Sequence, residues 1–142
     1  MSGIIWAIIA GAAMSVQGVL NTRLGEKTGL LEANAFVQGT AFLLSFIVAW
    51  IFGKGNITEL FSTSPVYWLG GVIGVAITVT VMLAMGASSP AVAVSVILVS
   101  QLAVAGTIDY FGLFGTEKVP FGINKFIGLA VIIAGIIVYK YK

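Results

Sequence analysis

From Ala33 to Phe52 the sequence reads ANAFVQGTAFLLSFIVAWIF, without a charged residue or a proline. An α-helix rising about 1.5 Å per residue needs about 20 such residues to cross a hydrocarbon core of about 30 Å. Comparable apolar stretches occupy about 3–20, 31–52, 67–86, 91–111 and 122–139, and the pieces between them are too short to fold alone. In lipid every backbone N–H and C=O has to be satisfied within the spanning segment, so these stretches are expected to be helices. The expectation is an all-α integral membrane protein with five transmembrane helices. Residues 1–142 would form a single transmembrane domain in contact with the lipid bilayer.

Composition narrows the functional classes. The chain is 59% hydrophobic and 8% charged, against roughly 25% charged residues in ordinary soluble domains. Seven basic and five acidic residues give a net charge of +2, too sparse for a nucleic-acid surface. The absence of Cys and His removes disulfides, thiol nucleophiles, zinc sites and Ser/His triads, so no metal, cofactor or enzymatic activity is expected. The opening MSGIIWAIIAGAAMSV offers the small residues of a signal-peptide cleavage site, but no Lys or Arg precedes the apolar run. It is read as a retained helix.

The polar residues inside the spans carry the functional reading. Gln17 and Asn21 lie four apart near the end of the first span, and Asn34, Gln38 and Ser45 form a stripe on the second. In the fourth, QLAVAGTIDYFGLFG places Gln101, Ala105 and Asp109 at steps of four, on one helix face. Such amides either bond neighbouring helices together or line a substrate path. The second reading makes Gln17, Asn21, Asn34, Gln38 and Gln101 candidate substrate contacts. Asp109 is the one acid inside an apolar segment, where acids usually face a bundle interior, a wet cavity or an ion path. Counted from Ala91, Gln101 lies about 15 Å deep, near the midplane, and Asp109 about 27 Å, near the far interface. Asp109, with Tyr110 beside it, is therefore the candidate for gating or for proton or cation coupling. Its structural alternatives are pairing with Lys118 or a neighbouring helix end, or anchoring the FGLFG turn.

Other features have plainer readings. RLGEKTGL at 23–30 is expected to be a turn at the membrane surface, with Glu32 favoured in the first turn of the next helix by its N-terminal dipole. Gly70 and Gly74, and Gly128 and Gly135, suggest seams of close helix packing. Trp50 and Phe52 suit a membrane interface, and Leu60 and Phe61 let part of the polar connection 53–65 lie on the membrane surface. Five spans put the termini on opposite sides. Lys54, Lys118 and Lys125 then fall on the N-terminal side and Arg23, Lys27, Lys140 and Lys142 on the other. So even a balance gives the positive-inside rule little to act on. Dual topology follows as a hypothesis, with two copies pairing antiparallel to supply the inverted repeat that larger transporters carry in one chain. In such a homodimer Asp109 of one copy shares a membrane side with the amide cluster of the other. Amides offer donors and acceptors without fixed charge, which suits neutral or zwitterionic solutes.

The patterns AGAAMSVQGVLNTRLG, Gly39-Thr40, GGVIG and above all SQLAVAGTIDYFGLFG resemble the YdcZ-type branch of the drug/metabolite transporter superfamily over essentially the whole chain. Gln17, Asn21, Gln101, Asp109, Phe111 and Gly112 match the family pattern. Ser100 stands where the pattern has Gly and Tyr110 where it has His, so a proton relay through His does not carry over. The resemblance implies a bacterial inner-membrane exporter of small metabolites or drug-like solutes, in a family of single, paired and fused genes. The partner would be a second copy or a close paralogue. The family is distantly similar to small multidrug resistance transporters, whose first helix bears an essential glutamate; no acid stands in the first span here. Two other readings remain: a structural or accessory membrane subunit whose amides only hold helices together, and a small dual-topology channel.

Overall fold

The computed structural model describes residues 2–120 and 122–140. It contains helices α1 (Ser2–Thr28), α2 (Leu30–Phe52), α3 (Leu69–Ala87), α4 (Pro90–Phe111) and α5 (Ile123–Lys140), with no strand among the described residues. All five are long and apolar enough to cross a membrane, α3 together with the short 3-10 turn Pro65–Trp68 before it. The chain divides into two compact units, Met1–Ala87 and Ser88–Lys142.

In the first unit α1, α2 and α3 pack pairwise on one another. The seam between α1 and α3 is built from small residues on one side and methionine on the other. A Cβ added to Gly18 would stand 2.6 Å from the Met85 methyl carbon and 2.8 Å from its sulfur, and one added to Gly25 would stand 2.6 Å from the Met82 methyl carbon. The two thioether side chains, buried in the unit, thus lie directly on the α1 backbone. Since lipid tails are as apolar as leucine, such close approach is what holds membrane helices together. The large side chains point outward instead, with Ile4, Trp6, Phe42, Leu44 and Trp50 all mostly exposed to what would be lipid.

Two expectations need correction. Residues 23–28 are not a turn but the last part of α1, held by Arg23 to Glu26 at 2.9 Å and by Thr28 Oγ1 donating to the Leu24 carbonyl at 2.9 Å. With 27 residues α1 is about 40 Å long, longer than the hydrocarbon core, and a charged helix end in water has no reason to unwind. The reversal falls on Gly29 alone, at φ 104° and ψ 147°. The glycine seams are also elsewhere: a Cβ at Gly70, Gly74, Gly128 or Gly135 would meet nothing within 4 Å. In the first unit the closest approach between helices occurs at Gly18 and Gly25, which lie under the Met85 and Met82 side chains.

The connection from α2 to α3 carries two 3-10 turns, Ile57–Ser62 and Pro65–Trp68. Asn56 caps the first by accepting from the Thr58 amide at 3.1 Å. The Trp68 indole N–H donates to the Leu60 carbonyl at 3.1 Å, and its ring meets Phe61 edge-on. An aromatic pair with its polar edge satisfied suits the headgroup region.

The second unit is a helical hairpin of α4 and α5. Ser89 caps α4 by accepting from the Val92 amide, with Pro90 in the first turn, where its missing N–H costs nothing. At the other end Gly112 adopts the left-handed conformation and its N–H closes on the Ile108 carbonyl, the usual glycine stop. The chain then folds back, the Val119 amide donating to the Asp109 carbonyl at 2.9 Å.

Gly29 makes the α1–α2 hairpin testable. Its backbone lies in a region open essentially to glycine, where other residues cost about 1–3 kcal/mol, and its Cβ would also run into the Glu32 carboxylate. Gly29→Ala should therefore destabilise the protein by about 1–3 kcal/mol in a denaturant titration of the reconstituted protein. Gly39→Ala, mid-helix with open space around it, should be neutral or slightly stabilising.

Candidate functional site

The interior of the first unit is polar for a membrane protein. On α1, Gly18, Asn21 and Thr22 are buried and Gly25 half-buried, a set spaced i, i+3, i+4, i+7 and hence one face. On α2 the buried residues are Ala33 and Asn34, and on α3 Met82 and Met85. Asn21, Thr22 and Asn34 are the buried polar residues among those described, while large apolar side chains of this unit lie on its outside.

Their hydrogen bonds sort these groups by role. Thr22 Oγ1 donates to the Gly18 carbonyl at 2.8 Å, the ordinary way a hydroxyl is quieted inside a helix. Thr78 on α3 does the same to Gly74 at 3.0 Å. With its one proton spent there, the Thr78 oxygen accepts from Gln38 Nε2 at 3.2 Å, tying α2 to α3. Asn34 differs: its Oδ1 is enclosed and has no hydrogen-bond partner.

Depth follows from the hairpin. Counted from Gly29 at about 1.5 Å per residue, Asn34 lies about 7 Å from the turn, Asn21 about 12 Å, Gln38 about 13 Å and Gln17 about 18 Å. The turn itself carries the exposed Arg23, Glu26 and Lys27, so the amides run inward from a charged mouth. Gln17 is exposed on the unit's outer surface and is not brought together with Asn21 and Asn34. Thr22, Thr78, Met82 and Met85 belong to this interior and escape sequence reasoning. Their signal in the sequence is the pair Gly18 and Gly25, seven apart around Asn21-Thr22, matched by two methionines three apart.

In the second unit Gln101 is exposed on α4, about 16 Å along from Pro90. Asp109, near the end of α4, faces Lys125 in the first turn of α5 at 4.0 Å, each side chain less than half exposed. The partner is thus Lys125, not Lys118, whose stem lies over Gly112 instead. A lysine in a helix's first turn opposes the positive end of the helix dipole, and the Asp109 carboxylate offsets this. Asp109 does touch the FGLFG turn's return path, but through its backbone carbonyl, which accepts from Val119. Tyr110 lines a cleft of about 420 Å³ with Gly106, Thr107, Phe111, Phe126 and Leu129, its ring edge-on to Phe111 at 5.0 Å. Glu32 makes no side-chain cap at the start of α2; its carboxylate packs against Gly29. Among the described residues no three His, Cys, Asp or Glu side chains converge as a metal site would require.

The Gln38–Thr78 bond predicts a measurable coupling. A double-mutant cycle of Gln38→Leu and Thr78→Val, read by unfolding in lipid, should give an interaction energy of about 0.6 kcal/mol, with an upper range near 1.7. A coupling of zero would show that the Gln38 amide is not engaged in holding α2 to α3.

A family model described as "Putative inner membrane exporter, YdcZ" matches residues 2–138. Comparison with curated proteins and with solved structures returned no match.

Proposed function

From a chain that belongs to the YdcZ family of inner-membrane exporters, we propose a secondary transporter that moves a small polar metabolite or drug-like solute by alternating access. The chain is a multi-pass inner-membrane protein with a transport role, and the finer reading concerns mechanism. Two copies pair antiparallel, and the inward-turned polar groups of the first unit line the path. The observation that carries this is the burial of Asn21, Thr22 and Asn34 in a unit that leaves its Ile, Leu and Phe side chains outside. Polar groups are costly away from water unless satisfied, and a path for a polar solute is a reason to place them there.

In this reading Asn21, Asn34 and Gln38 contact the solute near one mouth. Gln17 and Gln101, exposed on their own units, contribute where a second copy covers them. Asp109 and Tyr110 act as a gate or as the point of proton or cation coupling. Span counting sets Asp109 of one copy on the membrane side of the other copy's amides. The open glycine faces of α5, at Gly128 and Gly135, allow close contact with another helix. The reading assigns the chain no catalytic chemistry of its own.

One observation favours a second reading. The Gln38–Thr78 bond shows an amide acting as helix glue, and a chain using all its amides so would be a structural or accessory subunit.

Two measurements separate them. With no native cysteine, a single Cys introduced at Ser62, in the long connection, is a clean topology probe. An impermeant maleimide applied to intact cells should label close to half of an antiparallel pair's copies; labelling of all or none excludes dual topology. Purified protein in proteoliposomes should catalyse counterflow of at least one neutral, zwitterionic or amine solute, with Asn21→Leu reducing it at least tenfold. Wild-type assembly without flux across a broad solute panel would favour the accessory reading.

A further inference from the structure

Resting on the transport reading, we propose that Asn34 is the acceptor for a hydrogen-bond donor on the solute, so that the first unit selects an N–H or O–H head group over an anion. Asn34 is 7% exposed and its Oδ1 is fully enclosed without a hydrogen-bond partner. The hydroxyl donors of nearby helices are already committed. Thr22 donates to Gly18 and Thr78 to Gly74, and Gln38 spends one amide N–H on Thr78; neither hydroxyl can turn to Asn34 without giving up its own bond. The buried neighbours Ala33, Met82 and Met85 have no proton to offer.

A buried acceptor without a donor is rare in folded proteins and calls for an explanation. Its place in the chain favours a ligand. Asn34 stands on the inward face of α2, one turn before Gln38 and about 7 Å in from the Gly29 hairpin, on the way from the charged mouth to the deeper amides. The cations at that mouth, Arg23 and Lys27, are exposed, so nothing beside the enclosed oxygen would neutralise an anion. A primary amine or alcohol would supply the one donor that Oδ1 lacks.

The test uses the full chain purified into lipid nanodiscs, with melting temperature as readout and n-propylammonium, tetramethylammonium, sodium and acetate as probes at equal concentration and ionic strength. Propylammonium should raise the wild-type Tm by a few degrees, as ligand binding to the folded state does. Tetramethylammonium and sodium, which carry charge but no donor, should not. Asn34→Leu removes the orphan carbonyl, so its own Tm should match or exceed wild type while the propylammonium shift disappears. If this variant does not fold, Asn34→Ala is read the same way.

Equal shifts with tetramethylammonium or sodium would overturn the proposal in favour of a charge effect. A shift with acetate alone would overturn it by showing the amide turned over, with Nδ2 inward seeking an acceptor. A stabilised Asn34→Leu with no amine effect on wild type would leave Asn34 as a tolerated or hydrated defect. Flux in proteoliposomes without amine binding defeats this proposal alone. Amine binding without flux of any solute defeats the transport reading and leaves Asn34 as a binding residue.

Discussion

Two methionine side chains laid on two glycines, Met85 over Gly18 and Met82 over Gly25, are the contact on which the first unit depends. Apolar side chains gain nothing by leaving lipid for one another, so a bundle of Leu and Ile would have no reason to cohere. Close backbone approach supplies the dispersion contacts instead. Here it also does something chemical. Gly18, Asn21, Thr22 and Gly25 share one face of α1, so the approach that seats the methionines necessarily carries the asparagine and threonine into the interior. Packing and polarity are fixed by the same four positions.

That coupling explains which parts of the molecule were legible beforehand. The five spans were, because crossing a bilayer is a property of each segment by itself and hydropathy measures it. The end of α1 was not: Arg23 to Lys27 looked like a turn because charges mark the membrane surface, yet a helix leaving the membrane continues in water at no penalty until Gly29 reverses it. Glycine spacing pointed to Gly70, Gly74, Gly128 and Gly135, all of which stand in open space. Glycine marks where approach is permitted, whereas contact also needs a partner of the right length opposite. The amides showed the same gap. Steps of four placed Gln17 and Asn21 together, but 17 points outward and 21 inward, because the inward face is set by Gly18 and Gly25 and includes Thr22 in place of Gln17.

Polar groups in the two units are dealt with in three different ways. Thr22 and Thr78 return their protons to their own helices, and Gln38 joins α2 to α3. The bond between helices is worth little, on the order of 0.6 kcal/mol. Asn34 is the exception, and an enclosed carbonyl without a donor costs about 1–3 kcal/mol. An expense larger than the gain from the neighbouring bond is not helix glue. The difference in magnitude separates Gln38, which serves packing, from Asn34, which does not.

The acid of α4 follows a different logic. Its partner Lys125 is at the edge of ion-pair distance and both groups are partly exposed, conditions under which a pair contributes little to stability. Asp109 is therefore tolerated less because it is neutralised than because it sits about 28 Å along α4 from Pro90, where the hydrocarbon ends. Fixed charge in the spans is confined to such ends: Arg23, Glu26 and Lys27 in the last turns of α1, Glu32 in the first turn of α2, Asp109 near the end of α4, and Lys125 and Lys140 at the two ends of α5. Between these levels the polar groups are neutral amides and hydroxyls. The buried interior of the first unit thus holds dipoles and no full charge. That arrangement asks little desolvation of the protein's own groups, since a neutral amide or hydroxyl costs far less away from water than a fixed charge.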